Sequence, residues 1–288
     1  MKICAITMVY LDHWALTQWY GHYVRHLGAE NLFIVAHGAD PMVSKLCPRA
    51  NILTVPRDRL DGFDNLRDNI LNGFQARLGA VYDWVIRTDA DELVCLDPDI
   101  HPSFADLLAS QQADAVFALG LNVVERRGDP RIGAGKPALP RRPAVSFSGH
   151  YSKAWAARNG MALARHGIAL PPARVAAYPF TVPSGVYLAH LKYASRKALT
   201  VANAHRREIA SGPGKALPGS AWAKPKLTAR KFYASFEALP EAPWEEAETL
   251  AMAQIGTDPY RDLKKGLLRA QNIRPENRTI LPERIRSF

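Results

Sequence analysis

The sequence predicts an α/β protein in which helices sandwich a mostly parallel sheet. Short β-favouring runs alternate with segments whose apolar residues recur at helical spacing, the usual pattern of such sheets. In addition, the apolar run 84–86 breaks abruptly into three carboxylates, as a buried strand does when it ends at a ligand site. A chain of 288 residues with 48% hydrophobic and 22% charged residues is long enough for one large α/β domain or two small ones.

The first part of the chain supplies the strands and helices of this sheet in regular alternation. Residues 3–10 are predicted to form the first strand, and 13–27 a helix that ends at Gly28. Strands at 31–37 and 51–55 follow. A stripe of Leu66, Ile70, Phe74 and Leu78 then predicts a second helix that ends at Gly79, before the strand that contains 84–86.

The second part is less regular. A strand is predicted at 114–120, and residues 128–143 contain too many Gly, Pro and Arg residues for regular structure, so a mobile basic loop is expected. The remaining predictions are two short strands within 145–158, a strand at 186–191, helices at 196–210, 227–239, 244–254 and 258–270, and an extended tail after Ile273.

Charge is distributed unevenly along the chain. Residues 1–121 hold 9 Lys and Arg against 15 Asp and Glu, a net charge of −6, whereas residues 122–288 hold 28 against 12, a net charge of +16. The basic second half suits an anionic substrate, a phospholipid surface or nucleic acid, although a solvated basic surface explains it as well.

Cysteine usage and hydropathy indicate a cytoplasmic protein. Cys4, Cys47 and Cys95 are odd in number and far apart, as reduced core thiols are. The apolar run 3–11 ends at Asp12-His13 without a small-residue cleavage site, so it fits a strand better than a signal peptide. No apolar run reaches the roughly 18 residues of a membrane span.

The carboxylates Asp89, Asp91 and Glu92 are the strongest candidates for chemistry. Crowded carboxylates repel one another, so a positive group must offset them, and hard oxygen ligands suit Mg²⁺ or Mn²⁺ bound to a diphosphate. A polar turn after a core strand is the simpler alternative. Because ligands bind at the carboxyl ends of parallel strands, Tyr10 and Asp40 are expected along the same edge.

The sequence resembles glycosyltransferases of the family 2-like kind, which have the GT-A fold. The resemblance rests on the strand 3–10 with its Trp-containing helix, on the run 82–86 that leads into Asp89-Ala90-Asp91-Glu92, and on the late 190–193 segment His-Leu-Lys-Tyr. It covers roughly residues 1–200 and implies a nucleotide-sugar-binding, metal-dependent enzyme. Residues 201–288 are then predicted to form a basic helical extension packed on a catalytic domain of residues 1–200.

The resemblance also implies roles for individual residues. Asp89 and Asp91 would hold Mn²⁺ or Mg²⁺ against the donor diphosphate, with His190 completing the metal sphere. We expect the donor to contact Val9, Tyr10, Asp40, Arg67, Asp89, Ala90 and Lys192, with Arg67 and Lys192 offsetting phosphate charge.

Two features depart from the family pattern. Leu11-Asp12-His13 follows the first strand where many relatives have Asn-Glu, and no clear acidic motif for the general base occurs in the middle of the chain. Glu92, Glu125 and Asp129 are the catalytic candidates, and an inverting reaction is expected. Substitution of a metal ligand is expected to lower activity by orders of magnitude, whereas Asp97→Ala, in the Pro-containing turn that follows, is expected to cost little activity.

The predicted function is sugar transfer from a nucleoside-diphosphate sugar to a carbohydrate or glycolipid acceptor, as in the synthesis of bacterial surface polysaccharides. A nucleotidyltransferase is disfavoured, because no Gly-rich loop with Arg and Lys follows the first strand. A basic module that binds nucleic acid or another anionic polymer would not explain the Asp89–Glu92 carboxylates, so no nucleic acid partner is expected. Peripheral membrane contact and the oligomeric state remain open.

Overall fold

The computed structural model describes residues 1–58, 62–210 and 224–288. Its strands β1 to β15 span Ile3–Val9, Leu32–His37, Asn51–Val55, Trp84–Arg87, Glu92–Leu96, Ala115–Phe117, Leu119–Val123, Ala144–Phe147, Ala154–Ala157, Ala162–Ala164, Gly167–Ala169, Val186–His190, Tyr260–Asp262, Leu267–Arg269 and Thr279–Ile280. The α-helices α1 to α9 span His13–Leu27, Pro41–Leu46, Phe63–Leu78, Phe104–Ala109, Pro172–Val175, Arg196–Ala210, Pro225–Ala238, Trp244–Ala251 and Glu283–Arg286.

A six-stranded sheet with the order β3-β2-β1-β4-β9-β6 forms the centre of the molecule. The strands from β3 to β4 are parallel, and β9 pairs antiparallel with both of its neighbours. Alternate residues of β1 face opposite sides. Ala5 packs in the cluster that contains Trp19 of α1, whereas Cys4 and Ile6 pack in the cluster that contains Leu71 of α3. Because both faces are covered, every residue of β1 is buried and all but Thr7 are apolar, and the predicted α/β class is confirmed.

A second sheet, with the order β15-β8-β7-β12-β5, brings distant parts of the sequence together. Strand β12 lies antiparallel to β5 and parallel to β7, with His190 opposite both Glu92 and Asn122. Because β5 begins directly after the Asp89–Asp91 turn, this register places His190 beside those carboxylates.

A third, antiparallel sheet has the order β10-β11-β14-β13 and corrects one prediction. The helix predicted at 258–270 is wrong, because β13 and β14 form a hairpin there. Asp262 Oδ1 accepts the backbone N–H groups of Lys264 and Lys265, and Gly266 adopts a positive φ of 64°. Pairing with β11 buries Leu268 completely, which outweighs local helical spacing.

The other helix predictions agree well with the structure. The predicted bounds 13–27 and 196–210 match α1 and α6, and α7 and α8 begin within two residues of their predicted starts. The boundary at residue 200 remains a prediction. It falls within α6, and β14 of the proposed extension pairs with β11, so the two parts share a sheet.

The expectation of a mobile basic loop at 128–143 needs correction at one residue. Arg142 is completely buried and donates hydrogen bonds to the carbonyl oxygens of Ala194 and Pro130 at 2.9 and 2.8 Å, so this cation anchors the segment. The three cysteines are buried and free, as expected for core thiols. Throughout the described ranges, no helix is both long and apolar enough to cross a membrane.

Candidate functional site

A cavity of about 440 Å³ lies where β1, β4 and β12 end, and residues of α6 form part of its wall. Parallel strands in α/β sheets present ligand sites at their carboxyl ends, so the position is the one the fold predicts. The structure brings eight of the sequence-predicted residues to this cavity: Val9, Tyr10, Arg67, Asp89, Ala90, Asp91, His190 and Lys192.

Four predicted residues lie elsewhere, and their roles stay predictions. None of them is among the described residues that line the cavity. Asp40 caps α2 and accepts a hydrogen bond from His13 Nε2 at 2.7 Å. Glu125 and Asp129 lie near the guanidinium of Arg142, at 3.8 and 3.9 Å. Glu92 is the first residue of β5 and only 1% exposed.

Asp89 and Glu92 belong to a charge cluster beneath the cavity. Lys153 Nζ lies 3.1 Å from Asp89 Oδ2 and 2.8 Å from Glu92 Oε2, and the Arg67 guanidinium also pairs with Asp89. Burial opposes ionisation of Asp89, but Arg67 and Lys153 hold its pKa well below the usual value. Burial and the adjacent Asp89 charge raise the pKa of Glu92 to about 7, although Lys153 favours the charged form. The cluster therefore fixes the turn that carries Asp91.

Asp91 and His190 face each other within the cavity. Asp91 Oδ2 lies 3.5 Å from His190 Nε2, and the Tyr151 ring stacks on the imidazole with centroids 3.6 Å apart. On the other side of the ring, His190 Nδ1 lies 3.4 Å from Asn122 Oδ1. A proton on Nδ1 that points to Asn122 leaves the Nε2 lone pair directed towards Asp91.

This pair fits a divalent cation that is shared with a substrate. Two ligands on adjacent octahedral positions, each at about 2.1 Å, lie ~3 Å apart, close to the separation of Asp91 Oδ2 and His190 Nε2. Asp89 fits less well, since two cations already engage its carboxylate. Within the described ranges no three His, Cys, Asp or Glu side chains form a metal site, so a bound cation would need oxygen ligands from phosphate and water.

Cationic side chains from α6 and from the segment after β12 complete the cavity. Arg206 Nη2 lies 3.9 Å from Asp91 Oδ2, and burial together with Arg206 lowers the pKa of Lys192 to about 8. Near the mouth, the Arg57 guanidinium stacks 3.5 Å above the ring of Tyr10. An anion that bears two or more charges would be neutralised here from several directions.

Sequence reasoning did not predict a functional role for several residues that line the cavity: Asp12, Arg57, Asp64, His150, Tyr151, His166 and His205. Lys153, directly behind the cavity, was also missed. His150 and Tyr151 follow β8 in a short loop whose sequence carries no recognisable motif. The only sequence signal for this loop was the run Ser-Gly-His-Tyr at 148–151, whose polar and aromatic residues separate the two strands predicted within 145–158.

A second cavity of about 310 Å³ adjoins the first. The two share Asp64, Arg67, Asp89, His150 and His166, and together they form a continuous cleft. The turn between β10 and β11 borders the second cavity, and both of its central residues, Arg165 and His166, adopt positive φ values of 48° and 68°. Positive φ at both central residues is what a two-residue hairpin turn requires.

Comparisons with known proteins gave structural similarities only. No model of a known protein family matches the sequence, and no curated protein matches it. S. aureus TarS 1–349 is 10% identical with a TM-score of 0.37, over 82% of this chain and 72% of that one. A 4-diphosphocytidyl-2C-methyl-D-erythritol synthase is 16% identical with a TM-score of 0.31, over 48% and 66%. A mannose-1-phosphate geranyltransferase from Thermus thermophilus is 12% identical with a TM-score of 0.31, over 98% and 74%.

At these identities and TM-scores, the similarities do not assign a function to this chain. The side chains of the cleft must indicate its chemistry.

Proposed function

We propose that this protein is a metal-dependent glycosyltransferase that moves a sugar from a nucleoside-diphosphate sugar to an acceptor hydroxyl. The observation that carries the proposal is the facing pair of Asp91 and His190, 3.5 Å apart, at the carboxyl ends of parallel strands and beside the cations Lys192 and Arg206. A diphosphate with a divalent cation matches this combination of an anionic pair and flanking positive charge.

The donor would lie across the first cavity. Lys192 and Arg206 would contact the diphosphate, and the nucleoside would extend over Val9 and Tyr10 at the end of β1. Asp91 and His190 would hold Mn²⁺ or Mg²⁺, which as a Lewis acid offsets negative charge on the leaving diphosphate. In this arrangement Asp89 has a positioning role, since its ion pairs with Arg67 and Lys153 hold the turn that presents Asp91.

Asp64 is the best-placed general base. Its side chain lines both cavities and remains accessible to solvent from the cleft, and no described residue forms an ion pair or hydrogen bond with its carboxylate. Partial burial raises the Asp64 pKa, and the nearby carboxylates Asp68 and Asp89 act in the same direction against Arg67. A raised pKa suits a group that accepts a proton.

The proposed reaction is a single displacement with inversion. The acceptor oxygen forms a bond with the anomeric carbon while the bond from that carbon to the phosphate oxygen breaks, and its electron pair leaves with the diphosphate. The hydroxyl proton passes to Asp64, which replaces Glu125 and Asp129 as the proposed base because it alone of the three borders the cleft.

Ligand-dependent melting of the full chain tests the proposal. We would measure Tm with UDP, GDP, CDP and their sugar conjugates, each with and without Mn²⁺. A ligand at 100 times its Kd should stabilise the fold by about 2.7 kcal/mol, which corresponds to a Tm increase of about 5 °C. Asp91→Asn should remove the metal-dependent part of this shift and lower turnover by about 100-fold or more.

Asp258→Asn is the matched control, because Asp258 is exposed, lies outside the cleft and loses the same charge. The proposal fails if no nucleotide shifts the Tm, or if Asp91→Asn keeps both the shift and normal turnover. Release of pyrophosphate from a nucleoside triphosphate and a sugar phosphate would instead identify a nucleotidyltransferase. Binding of oligonucleotides without any nucleotide-sugar or metal dependence would identify a binding module.

A further inference from the structure

The second cavity has more positive charge than its own carboxylates neutralise. Five cations line it, namely Arg67, Arg87, Lys153, Arg165 and Arg269, against three carboxylates, Asp64, Asp68 and Asp89. Three of these cations are already paired. Arg87 Nη2 lies 2.8 Å from Asp68 Oδ1, and Arg67 and Lys153 both pair with Asp89.

Arg165 and Arg269 remain without a carboxylate partner among the described residues. Arg269 is the last residue of β14, directly opposite Gly167 of β11, and its guanidinium stacks 4.8 Å from the Tyr260 ring. Its Nε atom is buried and has no hydrogen-bond partner within the described ranges. A buried donor left unpaired is costly, and a bound oxyanion would satisfy it.

Arg165 approaches the same cavity from the turn between β10 and β11. Its positive φ of 48° follows from the two-residue hairpin turn that joins β10 to β11, because such turns require positive φ at both central residues. The turn presents the exposed side chain of Arg165 to the second cavity.

We propose that the second cavity is the acceptor subsite and that Arg165 and Arg269 bind a phosphate or carboxylate group of an acidic acceptor sugar. This inference rests on the proposed function, since the cavity adjoins the donor cavity. Asp64, which lines both cavities, would then lie between the donor and the acceptor hydroxyl. The oxyanion would occupy the end of the cleft nearest β14, away from Asp91.

Binding of simple probes to the full chain tests the inference. Glucose 6-phosphate, glucuronate and glucose would be titrated with the nucleotide and Mn²⁺ present, and binding would be followed by ligand-observed NMR. We expect either charged probe to bind about tenfold more tightly than glucose, and Arg269→Gln to remove that difference. Binding of only one charged probe would show whether phosphate or carboxylate is preferred, and supports the inference in either case.

Arg165→Asn guards against a loss of binding caused by misfolding. Asn tolerates positive φ, so this variant should melt at the wild-type temperature or above while binding charged probes about tenfold more weakly. Lys264→Gln is the charge-matched control, because Lys264 is exposed in the turn between β13 and β14 and does not line the cavity. It should bind all three probes like the wild type.

Three outcomes would overturn the inference. If the nucleotide binds and the charged probes bind no better than glucose, the acceptor subsite is wrong while the proposed function stands. If the nucleotide displaces glucose 6-phosphate, the second cavity belongs to the donor diphosphate. If no nucleotide binds at all, the proposed function fails, and the acceptor role fails with it.

Discussion

At the level of single residues, buried charges decide how the carboxylate turn is presented. Glu92 is 1% exposed and the Lys153 side chain 10%, so the ion pair between them is almost fully removed from water. Removing one partner of such a pair leaves a buried charge without compensation, whereas removing both charges does not. This asymmetry allows the role of Lys153 to be measured.

At about pH 9, Lys153→Met should destabilise the protein by about 3 kcal/mol, because Glu92 loses its cation and must then either stay charged in a buried position or bind a proton from basic solution. The double variant Lys153→Met/Glu92→Gln should recover at least half of that loss, since a neutral amide oxygen can still accept the backbone N–H of Asp89. Urea denaturation of both variants measures the difference. Equal stability of the single and double variants would show that the charge of Glu92 is not what Lys153 compensates.

Asp97 shows a contribution to stability that the sequence does not reveal. Its position in a turn predicts only that Asp97→Ala costs little activity, and that expectation stays a prediction. The side chain is in fact 5% exposed, and Arg284 donates to both carboxylate oxygens at 2.8 to 3.0 Å. Asp97→Ala should therefore lower the free energy of unfolding by about 2 kcal/mol.

Arg284→Gln provides the complementary measurement for this pair. It should destabilise the protein at least as much as Asp97→Ala, because it leaves the Asp97 carboxylate, which is only 5% exposed, without its cation, whereas Asp97→Ala leaves a guanidinium that is 42% exposed and can be hydrated. A loss from Asp97→Ala within the error of denaturant titration would show that this ion pair does not stabilise the fold.

Among the secondary-structure elements, the third sheet depends on close backbone contact at Gly167. A Cβ atom at this position would lie 2.0 Å from the backbone oxygen of Leu268 in β14. Since β14 carries Arg269, the same contact places that guanidinium in the second cavity. Local spacing suggested a helix at 258–270 because periodicity alone does not reveal which distant strand offers a pairing edge.

Gly167→Ala should destabilise the protein by about 2 kcal/mol through overpacking of β11 against β14. Gly73→Ala is the control, since Gly73 lies within α3 and an added Cβ would meet nothing within 4 Å. An alanine in the interior of a helix should stabilise the protein by about 0.5–1 kcal/mol. Thermal melts of the two variants should move in opposite directions, and a common direction would contradict this description of the third sheet.

For the molecule as a whole, buried histidines make the fold sensitive to acid. Burial is the main cause that lowers the pKa of His22 from 6.5 to about 3, and its Nε2 donates a 2.8 Å hydrogen bond to the Val94 carbonyl oxygen. The unfolded chain would bind a proton at His22 near pH 6.5, whereas the folded protein would not. Folding stability therefore falls as the pH drops from about 6.5 towards 3.

Within that pH window, each such histidine changes the free energy of unfolding by about 1.4 kcal/mol per pH unit. Burial lowers the pKa of His26 and His166 as well, so their contributions have the same sign. His22→Gln should reduce the slope of the unfolding free energy against pH between pH 6 and 4 by the contribution of about one proton. Urea denaturation at several pH values measures this slope. An unchanged slope would show that His22 does not cause the acid sensitivity.

Local sequence patterns were sufficient to establish the class of the fold and the location of the main cavity. Alternating apolar runs identified most strands and the long helices, because both depend on local periodicity. The same pattern placed Tyr10 and Asp89–Asp91 at the carboxyl edge of the sheet, and the resemblance added His190, which the register of β12 and β5 brings opposite Glu92, beside that turn.

Contacts between distant parts of the chain determine instead which charged side chains pair with one another. Lys153 directly precedes β9 and Asp64 belongs to α3, and no spacing rule connects either of them with Asp89. The second cavity required β14 to pair with β11 across about a hundred residues of sequence. Such contacts arise because strand edges and buried ions find partners in space rather than along the chain, so the residues that complete the site carry little local signal.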